Sequence, residues 1–264
     1  MENFEFNHIP AFYLAFPFLF LLILFNWLGF RVKKRQIENN PGIKPAGLGP
    51  TEGSLLGLTA LLLSFSFGMS ATKFDSRRQL IVEEANDIGT TILRCDLYPD
   101  SIRNEFRADL KNYLESRINY YQAGDDYNGI QLELFRADSI SAICWKRAAQ
   151  LSHYLDNRVA TAQMVPALNA LIDIIATREA SRQSVVPRLI LDILCVLTLL
   201  SAFLSGYGSK IHERSSILVV VFALMTTLAL YLVIDLDRPR QGFINLNNVE
   251  QLMVNLRSNF AEKN

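Results

Sequence analysis

Four stretches of the chain carry no charge, or a single one, over about the length of a bilayer crossing, and the residues between them keep helical periods. Gly53–Thr72 is twenty residues without a charge, enough to cross a hydrocarbon layer of ~30 Å. Lys73, Asp75, Arg77 and Arg78 then mark the water boundary. No proline occurs from Gly53 to Tyr98, and Pro99 is the first helix-stopping signal. Past the boundary, Phe74, Ile81, Ala85, Ile88 and Ile92 recur at spacings of seven, four, three and four, one apolar stripe on a helix. The pattern predicts a transmembrane helix that continues, unbroken, into an amphipathic helix standing in water.

The other uncharged runs are Ala11–Phe30, Leu189–Ser209 (with Asp192 its only charge) and Ser215–Ile234. The segment ahead of the first run, MENFEFNHIP, is acidic, the run is long, and no small-residue cleavage site follows. Those features predict an anchor and not a cleaved leader. Arg31, Lys33, Lys34 and Arg35 follow the run, which places the N-terminus outside by the positive-inside rule. Gln36–Glu52, where prolines alternate with glycines, reads as a linker with neither helix nor strand.

The region between the second and third spans reads as helical throughout. Asp100 is placed to cap a helix to about Ala123, and Gly124–Gly129 is a turn by composition. A longer helix to about Tyr154 follows, and Pro166 sits near the start of a last helix toward the membrane. In the tail, Asn247 is placed as an N-cap and Val249, Leu252, Met253, Leu256 and Phe260 share a face. That face suits either a bilayer surface or the helical domain. The expected architecture is an all-α integral membrane protein of four transmembrane helices, with a helical extramembrane domain inserted between helices two and three. Its parts are 1–52 (first span and linker), 53–73 (second span), 74–186 (helical domain), 187–235 (third and fourth spans) and 236–264 (amphipathic tail).

Composition sharpens this division. Half of the residues are apolar, a fifth are charged, and the formal net charge is zero. A zero balance gives no global reason to expect nucleic acid. The three cysteines show no metal-ligand spacing; a Cys95–Cys144 disulfide requires a domain outside the cytoplasm. No GxSxG, P-loop, GxGxxG or HExxH is present, and His8, His153 and His212 lie in three separate segments. No catalytic, cofactor-binding or metal-binding residue is assigned, and no cofactor is expected.

Within the second span, Gly57, Ala60, Ser64, Gly68 and Ala71 form a small-residue face suited to close helix packing. Phe65 and Met69 lie on a bulkier face beside it and are candidates for an apolar constriction. Asp192 has two readings, an i,i+4 pair with Arg188 and a pore or substrate role. Glu83, Glu84 and Asp87 are the one dense acidic group; ion pairing is the bland reading and a metal or proton role the sharp one. Rising ~1.5 Å per residue, Glu83 stands about 15 Å past Lys73, and Arg178 about 15 Å before Arg188. If those helices pack antiparallel, Glu83 meets Arg178, with Arg182 one turn away.

The run Glu83-Glu84-Ala85-Asn86-Asp87-Ile88-Gly89-Thr90, followed by Leu93-Arg94-Cys95-Asp96-Leu97-Tyr98-Pro99, resembles the most recognisable block of the bestrophin-like bacterial membrane proteins. Asp235-Leu236-Asp237-Arg238-Pro239-Arg240 resembles that family's second block. The similarity covers about Gly53 to Phe260. It implies kinship with bestrophins, oligomeric anion channels with four spans and a helical domain between spans two and three. It also implies that Asn86, Asp235, Asp237 and Arg238 join Glu83, Glu84, Asp87, Arg178 and Arg182 as structural network candidates. The acidic calcium clasp of calcium-gated bestrophins is absent from the sequence. The expectation is therefore an oligomeric ion channel or pore of the bacterial inner membrane, with lipid, inorganic ions and further copies of itself as partners. A non-conducting scaffold or sensor displaying a helical domain is the alternative. The charge asymmetry of the first span puts the helical domain in the periplasm, whereas the resemblance implies the cytosol.

Overall fold

A computed structural model of the chain describes residues 11–39, 49–124, 126–209, 215–238 and 242–260. Among these, every regular element is helical. The order is α1 (Ala11–Asn39), α2 (Gly49–Cys95), α3 (Asp100–Gln122), α4 (Tyr127–Leu151), a short turn at Leu155–Asn157, α5 (Arg158–Gln183), α6 (Arg188–Gly208), α7 (Ser216–Asp237) and α8 (Asn247–Asn255), with a tight last turn at Leu256–Phe260. Four helical stretches, which contain α1, α2, α6 and α7, are long and apolar enough to cross a membrane.

The α2 helix runs 47 residues without a break, as its proline-free pattern predicted. The expected linker is shorter than its composition suggested. Gln36–Asn39 belongs to α1 and Gly49–Glu52 to α2, while residues 40–48 lie outside the described residues. Pro50 is tolerated there because the first turn of a helix leaves its amides without intrahelical acceptors. The turn after α3 also shortens, with Asp126 capping α4 through the Asn128 amide at 3.1 Å. Asp100 opens α3 from inside its first turn, where it pairs with Arg103, and makes no cap bond. Asn247 likewise starts α8, its amide held by the Asn245 side chain at 3.3 Å. Pro166 lies inside α5.

The chain divides into two compact units, residues 1–72 with 185–244 and residues 73–184 with 245–264. In the first, α1 packs on α6 and α7. The α1–α6 crossing is a backbone approach through two glycines. A Cβ on Gly206 would fall 1.9 Å from the Asn26 carbonyl oxygen, and one on Gly29 would fall 2.0 Å from that of Phe203. The Asn26 amide group donates to the Ala202 carbonyl at 3.2 Å, and Thr59 of α2 shares a hydrogen bond with Ser201 at 3.0 Å. Lipid removes most of the hydrophobic drive between helices, so close packing and such polar bonds hold them together. Within the chain the close backbone approach is made by α1 and α6. The face of α2 carrying Gly57, Ala60, Ser64 and Gly68 is exposed, with open space at both glycines, and Thr59, Ser66 and Ser70 are the buried side.

In the second unit, α2 from Lys73 onward, α3, α4 and α5 enclose one core that includes Ile81, Ile88, Ile92, Phe106, Leu110, Leu114, Ile118, Met164 and Leu168. The α3 helix packs on α4, and α4 on α5. The tail belongs to this unit. Leu246 and Met253 enter its core, Arg257 bonds Glu115 at 2.6 Å, and Arg107 donates to the Asn259 carbonyl at 2.7 Å. Burying a side chain such as Met253 contributes about 1.5–3 kcal/mol, which fixes the amphipathic tail here. Hydrogen bonding to Arg257 outweighs the effect of burial and holds the Glu115 carboxyl below its ordinary range.

Candidate functional site

The densest polar constellation is buried in the helical unit around Glu84. This carboxylate sits on the inward stripe of α2, one position before Ala85, and is fully buried. Arg117 of α3, also fully buried, donates to it through both Nε and Nη2. Arg178 of α5 donates to the same carboxylate, and the Tyr121 hydroxyl adds a bond of 2.5 Å. Each guanidinium group also lies over an aromatic ring, Arg117 at 4.5 Å over Tyr120 and Arg178 at 4.4 Å over Tyr121. Burial alone would lower the Arg117 pKa, but the Glu84 charge raises it further, so the guanidinium stays protonated. Burial pushes the neighbouring Tyr113 hydroxyl up, which keeps it neutral, and it donates to the Leu171 carbonyl at 3.2 Å.

Arg178 therefore meets Glu84 and not the expected Glu83, which is exposed on the adjoining face. One residue turns a helix by ~100°, and Glu84, four residues before Ile88, is the one in line with the apolar stripe. Arg182 pairs with Glu179, three residues before it on α5, at 2.6 Å. Asn86 is exposed and Asp87 half-buried. Arg117 and Tyr121 were missed in the sequence. Their signal was position, since Leu110, Tyr113, Leu114, Arg117, Ile118 and Tyr121 share one helical face and an arginine there is set among apolar neighbours.

A second pair of carboxylates holds backbone turns in the other unit. Asp237 at the end of α7 accepts the Val186 amide with both oxygens at 3.1 Å. Val186 lies in the break Ser184–Pro187 ahead of α6, where its N–H has no helical acceptor. Asp235 accepts the Tyr231 hydroxyl at 3.0 Å and the amides of Phe243 and Ile244 at 3.3 and 3.0 Å. Gly242 is required beside it, because a Cβ there would lie 2.3 Å from the Asp235 carboxylate. Arg238 lies just past α7 and is half-buried; residues 239–241 are outside the described ones. Acceptors for broken backbone explain why two acids stand at the end of an apolar helix.

A model of the bestrophin-like domain matches residues 16–250. The chain belongs to the bestrophin-like family. It is similar in fold to a crystallised bacterial bestrophin homolog from Klebsiella pneumoniae, with a TM-score of 0.73 at 16% identity over 94% of this chain and 98% of that one. A tryptophan variant of that homolog aligns at a TM-score of 0.73 and 15% identity over 97% and 100% of the two chains. A crystallised membrane protein variant aligns at a TM-score of 0.75 and 15% identity over 92% and 99%. No curated protein matches the chain.

The remaining candidates of this bestrophin-like chain lie in the apolar unit. Phe65 is exposed (61%) and Met69 partly buried on α2. Asp192 is exposed in the second turn of α6 and makes no ion pair among the described residues. Among those residues no group of three or more His, Cys, Asp or Glu side chains is placed to hold a metal. The helical unit also has an open cleft of about 760 Å³ whose walls include Ile102, Glu105, Lys146, Arg147 and His153. Arg147 in it is tied down by Glu105 and Asp109.

Substituting Asp237→Ala leaves the buried Val186 amide without an acceptor, which costs about 1–3 kcal/mol. The thermal midpoint in detergent is expected to fall for this variant and to stay unchanged for Asp192→Ala, whose carboxylate is exposed.

Proposed function

We infer that the chain is one subunit of a homo-oligomeric ion channel in the bacterial plasma membrane, with α2 nearest the symmetry axis and the helical domain inserted between the second and third spans. The observation that carries this reading is the orientation of α2. It turns the hydroxyls of Thr59, Ser66 and Ser70 toward its own subunit and leaves Gly57, Ala60, Ser64 and Gly68 bare beside Phe65. A small-residue face without an intrachain partner suits a neighbouring helix in lipid. Phe65 and Met69 then narrow the axis as an apolar constriction of the kind that gates by dewetting. Asp192 is the acidic group nearest the end of its span and is suited to meet permeating ions. Membership of the bestrophin-like family supports channel chemistry over an enzymatic role.

The second reading, a non-conducting scaffold, is favoured by the same exposed apolar side chains if they fill the centre in every state. Purified protein reconstituted in liposomes separates the two. The channel reading predicts an oligomer by native mass spectrometry, ion flux above empty liposomes, and greater flux for Phe65→Ser. An oligomer that passes no ion, with or without that substitution, establishes the scaffold in its place.

The four cations that follow the first span, with none ahead of it, orient the N-terminus and the helical domain to the periplasm. Asn128 is exposed at the start of α4. An Asn128→Cys variant is then labelled by an impermeant thiol reagent once the outer membrane alone is opened. Labelling only after the inner membrane is permeabilised reverses the orientation.

A further inference from the structure

Helix α4 is apolar on two faces, with Ile130 in the core and larger side chains turned outward. Its buried side carries Ala137, Ser141, Cys144 and Ala148, whereas Leu132, Phe135 and Ile143 face solvent, Phe135 at 71% exposure. Those three fall on one stripe at helical spacing. The α2 helix of the same unit shows a second outward stripe, with Val82 at 38% and Leu93 at 70%. The two stripes lie on opposite sides of the bundle. Glu84 of α2 bonds α3 and α5, and α4 packs on α3 and α5 from the other side. Two unlike faces on different sides of one copy make a head-to-tail contact, which closes into a ring where the rotation between successive copies closes.

The ion pairs set the register of that contact. Glu84 and Arg117 share one level across α2 and α3. Arg147 of α4 bonds Glu105 and Asp109 of α3, roughly ten residues or ~15 Å farther along than Arg117. Since α2 and α4 run in the same direction, Arg147 is level with about residue 94 of α2, and Phe135 with about residue 82. Val82 stands at that level, and Glu83 next to it is level with Arg136. The charges are complementary. Arg136 is 53% exposed in a pair with its own Glu133, and Glu83 is exposed with no ion pair among the described residues.

We propose that the outer face of α4 in one copy packs on the outer face of α2 in the next, with Phe135 over Val82 and Arg136 beside Glu83. This rests on the homo-oligomer reading above, and it identifies which surfaces of the helical domain build the ring. It also gives Glu83 its role, an acid reserved for the neighbouring subunit while Glu84 serves its own.

Disulfide trapping in the full-length protein tests the contact. In membranes treated with a mild oxidant, the pair Val82→Cys with Phe135→Cys gives a ladder of linked dimers and higher species on a non-reducing gel. The pair Leu93→Cys with Phe135→Cys, offset by about eleven residues or ~16 Å in the same register, stays unlinked. Reversing one charge, Glu83→Arg, causes loss of the oligomer peak in native mass spectrometry, and adding Arg136→Glu restores it. If an oligomeric preparation links the offset pair as readily as the aligned pair, or links neither, this interface is overturned while the oligomer stands. A monomer for the unmodified protein by native mass spectrometry removes both.

Discussion

The helical unit depends on one buried negative charge. Glu84 has no access to water, and a carboxylate in that position is tolerable only because Arg117, Arg178 and Tyr121 converge on it. The arrangement joins three helices far apart in sequence and fixes their levels relative to one another. Apolar packing alone fills space without choosing a register; a shared carboxylate chooses one, since a shift of one residue moves it off the stripe that faces Arg117. Whether such a knot adds net stability over an apolar core is secondary. Its physical consequence is that any rearrangement of α2 against α3 and α5 exposes an unpaired charge to a medium of low polarity.

The apolar unit uses different means for the same end. Lipid gives no hydrophobic reward for burying one helix against another, so the unit relies on the Gly29–Gly206 approach, the Asn26 and Thr59 cross-helix bonds, and two aspartates that terminate broken backbone. Those aspartates belong to the second recognisable block of the sequence. Glu84 belongs to the first. Each block thus marks a place where a buried carboxylate serves donors that the helices themselves leave over.

Much of this was legible beforehand, and the failures have physical causes. The spans, the unbroken α2 and the helical character of the intervening region follow from charge-free length and from period, which are local properties. Glu84 and Arg117 were harder to read because cross-helix pairing depends on which of two adjacent acids faces inward. The stripe from Ile81 to Ile92 already held that information, and charge spacing alone did not. The close approach within the chain is made by α1 and α6 with one glycine each, a pattern with no periodicity to detect. The capping roles of Asp235 and Asp237 needed the path of the chain at Val186 and Phe243, which no local signal gives.

The claim that one carboxylate organises the helical unit is tested most directly by a mutant cycle on Glu84 and Arg117. Cys95 and Cys144 are buried free thiols in the same core, and burial holds the Cys144 thiol up to about 12, so a thiol-reactive dye reports opening of the unit on heating. Glu84→Gln alone removes the charge on which Arg117 and Arg178 converge and is expected to cost about 3–5 kcal/mol, the range for breaking a buried pair. Adding Arg117→Met is expected to recover part of that loss. A Glu84→Gln protein that opens at the unmodified temperature, or losses that simply add in the double variant, would contradict the account.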